Sequence, residues 1–130
     1  MSLDQCLAIV ESHFKSSGFS DSEIQEYLKI LRAKWDKIED VIRGENVRKY
    51  CFLPSGMELW IVRGKTSEYL IRPLHYCSCT AFYFNTLIKK NEKCCYHILA
   101  FIICRQLNNF TTIYKEDTVY FDYLSDFVNS

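Results

Sequence analysis

The sequence predicts an α+β fold, in which helices precede and follow a small antiparallel sheet. Apolar residues recur at helical spacing up to Gly44. After Gly44 the chain consists of short β-branched and aromatic runs separated by turn residues, and helical spacing returns beyond Thr80. Because the chain has 130 residues, of which 48% are hydrophobic, we expect a single domain over residues 1–130 with a buried core.

The segment before the sheet is expected to be helical. Its apolar spacing predicts a first helix over about residues 3–15, which Gly18 ends. Ser20 is expected to cap the next helix, and Glu23 completes a capping box with it. The apolar stripe then continues to residue 42, so the sequence leaves open one long helix or two abutting helices.

Three strands and three further helices are expected after Gly44. The strands form an antiparallel meander and cover Val47–Leu53, Met57–Arg63 and Glu68–Arg72. The helices cover residues 81–90, residues 97–107 and a C-terminal segment capped by Asp117, with a loop at residues 91–93. The expected parts of the chain are therefore N-terminal helices (1–44), a sheet with two following helices (45–107) and a C-terminal helix (108–130).

Charge is unevenly distributed along a chain whose formal net charge is zero. Residues 43–105 carry a net charge of +6, and the segment on each side carries −3. A basic middle segment is typical of a nucleic-acid contact, and a solvated sheet surface is the alternative interpretation. The candidate DNA contacts are the basic residues of the predicted strands and turns, Arg48, Lys49, Arg63, Lys65 and Arg72.

Cysteine and histidine occur in two pairs, one after the last predicted strand and one at the start of the next helix. Cys77 and Cys79 form a CxC pair, and Cys95 and His97 form a CxH pair after a gap of fifteen residues. Thiolate and imidazole are the ligands that zinc prefers, and four of them close a structural site. Cys94 is an alternative to Cys95, because residues 94 and 97 share a face if both are helical. Buried free cysteines beside a surface histidine are the alternative to a metal site.

The cysteine count and the lack of a visible secretory signal indicate the cellular compartment. No secretory signal is visible, and the longest strongly apolar run is too short to span a bilayer. Seven cysteines, an odd number, are therefore expected in a reducing compartment, the cytosol or the nucleus. Outside the two pairs, the cysteines on apolar stripes are expected in the core: Cys6, Cys51 and Cys104.

The CxC pair, the gap and the CxH pair resemble the SWIM-type zinc finger. Residues 75–82 read HYCSCTAF and residues 95–100 read CYHILA, which is similar to the small SWIM-domain subunits of Shu-type complexes. In those subunits a proline stands at the position of Thr80. The resemblance covers roughly residues 45–107, and it implies one structural Zn²⁺ per chain with Cys95, not Cys94, as the third cysteine ligand.

The same resemblance implies a function. Shu-type complexes assist RecA-like recombinases in homologous recombination, so we expect a hetero-oligomer that contains a RecA-like recombinase paralogue and acts in the nucleus. The complex would also contact single-stranded or branched DNA, and no membrane partner is expected. A zinc finger that binds DNA directly is the alternative.

Catalysis is not expected from this sequence. Four protein ligands leave no position on zinc for a water molecule, which a catalytic site requires. The sequence also lacks the motifs GxxxxGK[ST], GxSxG and HExxH, and the HxE and PCxxC pair of zinc deaminases.

An entirely apolar run, residues 98–104, must be covered on every side if it is helical. The C-terminal aromatic stripe is expected either to cover this run as part of the core or to dock a RecA-like partner. Aromatic side chains dominate the energetics of protein interfaces. The candidate partner anchors are Tyr120, Tyr123 and Phe127.

Overall fold

The structure is a computed structural model that describes residues 2–64, 67–72, 76–79 and 94–128. The predicted helix over residues 81–90 and the loop at residues 91–93 lie outside these ranges. The elements follow one another in this order: α1 (Leu3–Ser16), α2 (Asp21–Ala33), α3 (Trp35–Arg43), β1 (Val47–Leu53), β2 (Met57–Arg63), β3 (Glu68–Arg72), β4 (Tyr76–Cys77), α4 (Tyr96–Gln106), β5 (Thr111–Glu116), a 3₁₀ helix (Asp117–Val119) and α5 (Tyr120–Val128).

The N-terminal helices begin and end at the residues that the sequence indicates. The hydroxyl of Ser20 accepts from the backbone N–H of Glu23, and the Glu23 carboxylate accepts from the N–H of Ser20, so the predicted capping box is confirmed. Gly18, with a φ of 87°, follows α1. The long apolar stripe forms two helices, because the chain leaves the helical conformation at Lys34.

Within the described ranges, the sheet has five strands in the order β4-β3-β2-β1-β5. The antiparallel meander β1-β2-β3 forms as predicted. Two strands extend it: β4 pairs with β3 antiparallel, and β5 pairs with β1 in parallel. The α+β class is therefore confirmed, but the sheet is mixed and larger than the predicted three strands.

The two faces of the sheet belong to two different cores, because successive side chains of a strand point to opposite faces. Val62 and Ile71 belong to the larger core, which contains the helices α1 to α4. Phe52, Ile61 and Leu70 belong to the smaller core, against which the aromatic side chains of α5 pack. The sheet thus lies between the four-helix layer and α5.

Helix α4 occupies the centre of the larger core. Every residue from His97 to Cys104 is buried, and α4 contacts α1, α2 and α3 together with the strands β3 and β4. The expectation that the C-terminal stripe covers α4 is wrong, since α5 lies on the other face of the sheet. The N-terminal helices supply that cover instead.

The segment that leads into the C-terminal helix differs from the prediction. Residues 111–116 form β5, and the Asp117 carboxylate does not cap a helix. It accepts hydrogen bonds from the backbone N–H of Ser55, at 3.1 Å, and from the Ser55 hydroxyl, at 2.7 Å. Asp117 therefore ties the β1–β2 turn to the segment that leads into α5.

Two smaller expectations concern single cysteines and the membrane. Cys6 and Cys104 are fully buried as predicted, whereas Cys51 is only partly buried. Among the helices that the structure describes, none has the length and apolar composition needed to cross a bilayer.

Candidate metal centre

The four predicted ligands come from the two chain segments that meet where the sheet contacts α4. Cys77 is the last residue of β4, and Cys79 follows it. Cys95 is the extended residue that immediately precedes α4, with φ −90° and ψ 166°, and His97 lies in the first turn of that helix. Strand β4 is held in place by pairing with β3, in which Cys77 faces Ile71.

Ser78, between the two cysteines of the CxC pair, fixes their position. Its backbone N–H donates to the Leu70 carbonyl at 3.0 Å, and its hydroxyl accepts from the Leu70 N–H at 2.9 Å. Both bonds tie Ser78 to β3. Cys77, at the end of β4, and Cys79, in the bend that follows, are thereby left to contribute their sulfurs to one cluster. The sequence offered a signal for this role, a small hydroxyl residue inside a CxC pair, but the role itself was missed.

The donor atoms of Cys77, Cys79, Cys95 and His97 all lie within 4.8 Å of one another, and all four residues are buried. Zinc–sulfur bonds of about 2.3 Å in a tetrahedron place neighbouring sulfurs roughly 3.8 Å apart. The observed upper limit of 4.8 Å between donor atoms is therefore close to the spacing that one shared ion requires. Three sulfurs and one imidazole nitrogen are the donor set of a structural zinc site.

The cluster has polar atoms that the protein alone does not satisfy. His97 is only 4% exposed, and neither ring nitrogen has a hydrogen-bond partner within the described ranges. An unsatisfied buried polar atom costs about 1–3 kcal/mol. A zinc ion bonded to one of these nitrogens removes that cost for one of them, so the residues present fit the metal.

The thiols of the cluster also depend on one another. Hydrogen bonds with Cys79 and Cys95, followed by burial, raise the pKa of Cys77 far above its ordinary value. For Cys95 a hydrogen bond with Cys77 acts to lower the pKa, but the Cys79 thiol and burial raise it to about 12. Three buried thiols thus share protons with one another, and a divalent cation is the group that lets all three ionise in this volume.

The imidazole of His97 is held by aromatic neighbours and by a glycine. The Tyr69 ring lies 4.4 Å from it and the Tyr96 ring 4.0 Å, measured between ring centroids. A Cβ atom on Gly64 would come within 2.8 Å of the Tyr69 ring and 3.5 Å of the His97 Nε2 atom. Gly64 therefore allows the β2–β3 connection to approach the site closely, which the sequence did not reveal.

Cys94 does not take part in the cluster, although it is buried. The pKa of Tyr27, on α2, is raised to about 12 mainly by burial, and Cys94 contributes to that increase. Cys94 thus lies near α2. Cys94 and His97 do not share a helical face, because α4 begins only at Tyr96 and neither Cys94 nor Cys95 is helical. The cysteine that the SWIM-type spacing selects, Cys95, is the one that lies in the cluster.

The predicted DNA contacts that the structure describes lie on both faces of the sheet. Arg48 and Lys49 are adjacent in β1, so their side chains point to opposite faces of the sheet. Arg48 pairs with Glu68 at 3.8 Å, and Lys49 pairs with Glu58 at 2.8 Å. Arg63 and Arg72 are exposed at the ends of their strands. Lys65 lies outside the described residues, and the DNA assignment stays a prediction.

The predicted partner anchors contact the sheet. Tyr120, Tyr123 and Phe127 are each partly buried in the smaller core. The Tyr120 ring lies 5.0 Å from the Phe52 ring, and the Tyr123 ring lies 5.0 Å from the Tyr50 ring. Each therefore has a packing role within this chain, and its role in partner binding stays a prediction.

Two curated proteins are similar to the chain. A zinc finger SWIM domain-containing protein 7 homolog of Dictyostelium discoideum is 31% identical over 116 residues, which cover 88% of this chain and 74% of the relative. Zinc finger SWIM domain-containing protein 7 of Mus musculus is 32% identical over 75 residues, which cover 56% of this chain and about half of the relative, 49%.

Two further comparisons found no match. No family model matches the chain. No solved structure matches it either. The Cys/His cluster and the extent of the similarity to the Dictyostelium discoideum protein agree with each other. The chain therefore binds zinc and belongs to the family of SWIM domain-containing zinc finger proteins.

Proposed function

We propose that this chain is a non-catalytic zinc-binding subunit of a Shu-type complex in the nucleus, where it binds a RecA-like partner and supports recombinase filaments in DNA repair. The observation that carries the proposal is the zinc cluster in its buried setting between β4 and α4. Its spacing in the sequence resembles that of the small SWIM-domain subunits of Shu-type complexes. The similarity to zinc finger SWIM domain-containing protein 7 supports the zinc-binding part of this role.

The composition of the cluster supports a structural role for the zinc. Four protein donors complete a tetrahedron, so no position remains for a water molecule or a substrate. Within the described ranges, the cluster contains no carboxylate that would act as a general base. An ion at this cluster joins the sheet to α4, the most buried of the helices that the structure describes, which is the arrangement expected of a site that stabilises a fold.

Co-purification tests the proposal. A tagged full-length chain is isolated from its own cells in reducing buffer, and the retained proteins are identified by mass spectrometry. We expect a protein of the RecA-like class that the zinc-free double variant Cys77→Ser/Cys79→Ser does not retain. The complex reconstituted from the chain and this partner should then extend the lifetime of recombinase filaments on single-stranded DNA. Retention of proteins without any RecA-like member, or a complex with no effect on filaments, would refute the proposal.

Direct DNA binding is the second candidate function. One observation supports it: a shallow cleft beside the start of α4 is lined by Lys37, Asn46, Arg63 and Tyr96. Its two basic residues provide a place for a phosphate, although Asp40 also lines the cleft. Because phosphate contacts release counterions, binding through this cleft would weaken steeply as salt rises.

Fluorescence anisotropy with labelled single-stranded DNA separates the two functions. If the isolated chain binds DNA directly, the double variant Lys37→Glu/Arg63→Glu should lower the affinity and reduce the salt slope by roughly 0.7 for each phosphate that the variant no longer neutralises. Lys15→Glu, an exposed change on α1, is the matched control. DNA binding that appears only after the protein partner is added contradicts direct binding and supports the first function.

A further inference from the structure

The largest exposed apolar side chains gather at one corner of the sheet, which we call the apolar corner. Among the residues that the structure describes, the large hydrophobic side chains with high exposure are Leu53 (48%), Met57 (42%), Tyr114 (65%) and Phe121 (75%). They come from four different elements or ends of elements: β1, β2, β5 and α5. Exposed apolar residues that cluster in this way mark interaction surfaces, whereas scattered ones do not.

Strand register places these residues at one corner of the sheet but on both of its faces. Leu53 and Tyr114 alternate with Phe52 and Ile113 of the smaller core and so point to the α1–α4 side, whereas Met57 and α5 lie on the side of the smaller core. Leu53 of β1 lies beside Glu116 of β5, and Tyr114, two residues before Glu116, lies beside Cys51. Met57 lies beside Phe52 across the β1–β2 turn.

Helix α5 joins the same corner through Tyr120. The Tyr120 ring contacts the Phe52 ring at 5.0 Å, and the Phe121 ring lies 5.4 Å from the Tyr120 ring. The hydrogen bonds from Ser55 to Asp117 fix the turn against the start of α5. The fold thus holds the β1–β2 turn and the start of α5 in place at the apolar corner, which presents apolar side chains on both faces of the sheet.

Strand β5 presents an open edge at the apolar corner. It is the last strand in the order β4-β3-β2-β1-β5, so one side of its backbone pairs with β1. Within the described ranges, no strand pairs with its other side. Proteins protect such edges with proline, bulges or several charges, because free backbone groups pair readily with another strand. The edge of β5, TTIYKE, has no proline and carries only one lysine and one glutamate.

The charge around this edge is negative. Residues 106–130 carry a net charge of −3, and Glu116, Asp117 and Asp122 lie on or next to the apolar corner. Lys115 is the basic residue of β5, and it approaches the Tyr123 ring at 5.9 Å. A binding partner with basic side chains is therefore attracted to this surface.

We propose that the open edge of β5 binds an extended segment of a partner protein, which adds a sixth strand to the sheet and carries apolar and basic side chains. Backbone hydrogen bonds to β5 supply affinity, apolar side chains of the added strand contact Tyr114 on one face of the sheet and the α5 side on the other, and the acidic residues select the basic ones. This inference rests on the proposed function, because that function supplies the partner.

The open edge and the charge distinguish this occupant from others. A helix laid on the surface leaves the free N–H and C=O groups of β5 unpaired, whereas a strand satisfies them. A second copy of this chain brings the same acidic residues to the contact and gains no charge complementarity. The segment is therefore expected from a different protein.

Hydrogen exchange of the complex tests the proposal. The full-length zinc-loaded chain is purified with the partner that it retains from its own cells, and backbone amide exchange is compared with that of the free chain. We expect every second amide of residues 111–116 to exchange at least tenfold more slowly in the complex, because a strand pairs with alternate residues of an edge. Unchanged exchange over β5, with slowing confined to the N-terminal helices, overturns the proposal.

Matched variants provide the second readout. Tyr114→Lys and Phe121→Lys place a positive charge on the apolar corner and should weaken partner binding at least tenfold while zinc content stays at one per chain. Gln25→Lys, an exposed change on α2, should leave binding unchanged. Equal binding by all three variants overturns the proposal, as does a complex that contains only copies of this chain.

The outcomes separate this proposal from the proposed function. Slowed exchange at β5 with a partner that is not RecA-like refutes the proposed function and supports the surface. A RecA-like partner without slowed exchange at β5 supports the function and refutes the surface. A full-length chain that retains no protein refutes both.

Discussion

Truncation of Cys95 to alanine should release the zinc, whereas the same change at the neighbouring Cys94 should not. Cys95 supplies one of the four donors that lie within 4.8 Å of one another, and Cys94 lies outside this cluster. A structural zinc site contributes on the order of 10 kcal/mol or more to folding, so one ligand of four corresponds to about 3 kcal/mol. Cys95→Ala should therefore weaken zinc binding roughly 100-fold.

Cys94→Ala is the matched control, since it removes one buried sulfur without removing a ligand. It should lower the free energy of unfolding by about 1 kcal/mol and change the zinc affinity by less than about threefold. Competition with a chromophoric chelator in reducing buffer measures both affinities. Zinc loss from Cys94→Ala with retention in Cys95→Ala would contradict the assignment of the ligands and the position at which α4 begins.

Three further predictions concern stability. Ile103→Ala, in the fully buried centre of α4, should lower the free energy of unfolding in urea by about 2–5 kcal/mol. Asp117→Ala should cost about 1 kcal/mol, because it removes two exposed hydrogen bonds from Ser55, and an unchanged melting temperature would refute that role. Burial, with a smaller contribution from Arg105, lowers the pKa of His13 below 6.5. The unfolded chain then binds a proton first, so stability should fall as pH drops below about 6.5, and His13→Gln should make this decrease shallower at equal zinc loading.

Local sequence signals predicted the elements that depend on short-range chemistry. The capping box of Ser20 and Glu23 located the start of α2, and the turn at Pro54-Ser55-Gly56 separated β1 from β2. The metal site was predictable in part: a CxC pair and a CxH pair indicate side chains that share one ion, and the resemblance to the SWIM-type zinc finger selects Cys95 over Cys94. The cap and the turn lie within a few residues of the feature that each determines, and the metal motif consists of two such local pairs.

Features that depend on distant contacts were not predictable in this way. Strand β5 pairs in parallel with β1, about sixty residues earlier in the chain, and nothing in TTIYKE indicates that partner. The break at Lys34 was not predictable because the apolar stripe continues across it, and Lys34 leaves the helical conformation without a glycine or proline to mark the position. The helices that cover α4 are α1, α2 and α3, which lie more than fifty residues earlier in the chain, and the local pattern does not encode these contacts.

Zinc content is the most direct test of the account, because the central claim is that one buried ion joins β4 to α4. Mass spectrometry of metals in the full-length chain, purified in reducing buffer, should find about one zinc per chain. The double variant Cys77→Ser/Cys79→Ser should contain almost none and should lose the packing between the sheet and α4, seen as the disappearance of the near-ultraviolet circular dichroism signal. A folded wild-type chain without zinc, or a double variant that keeps its full zinc content, would contradict the account.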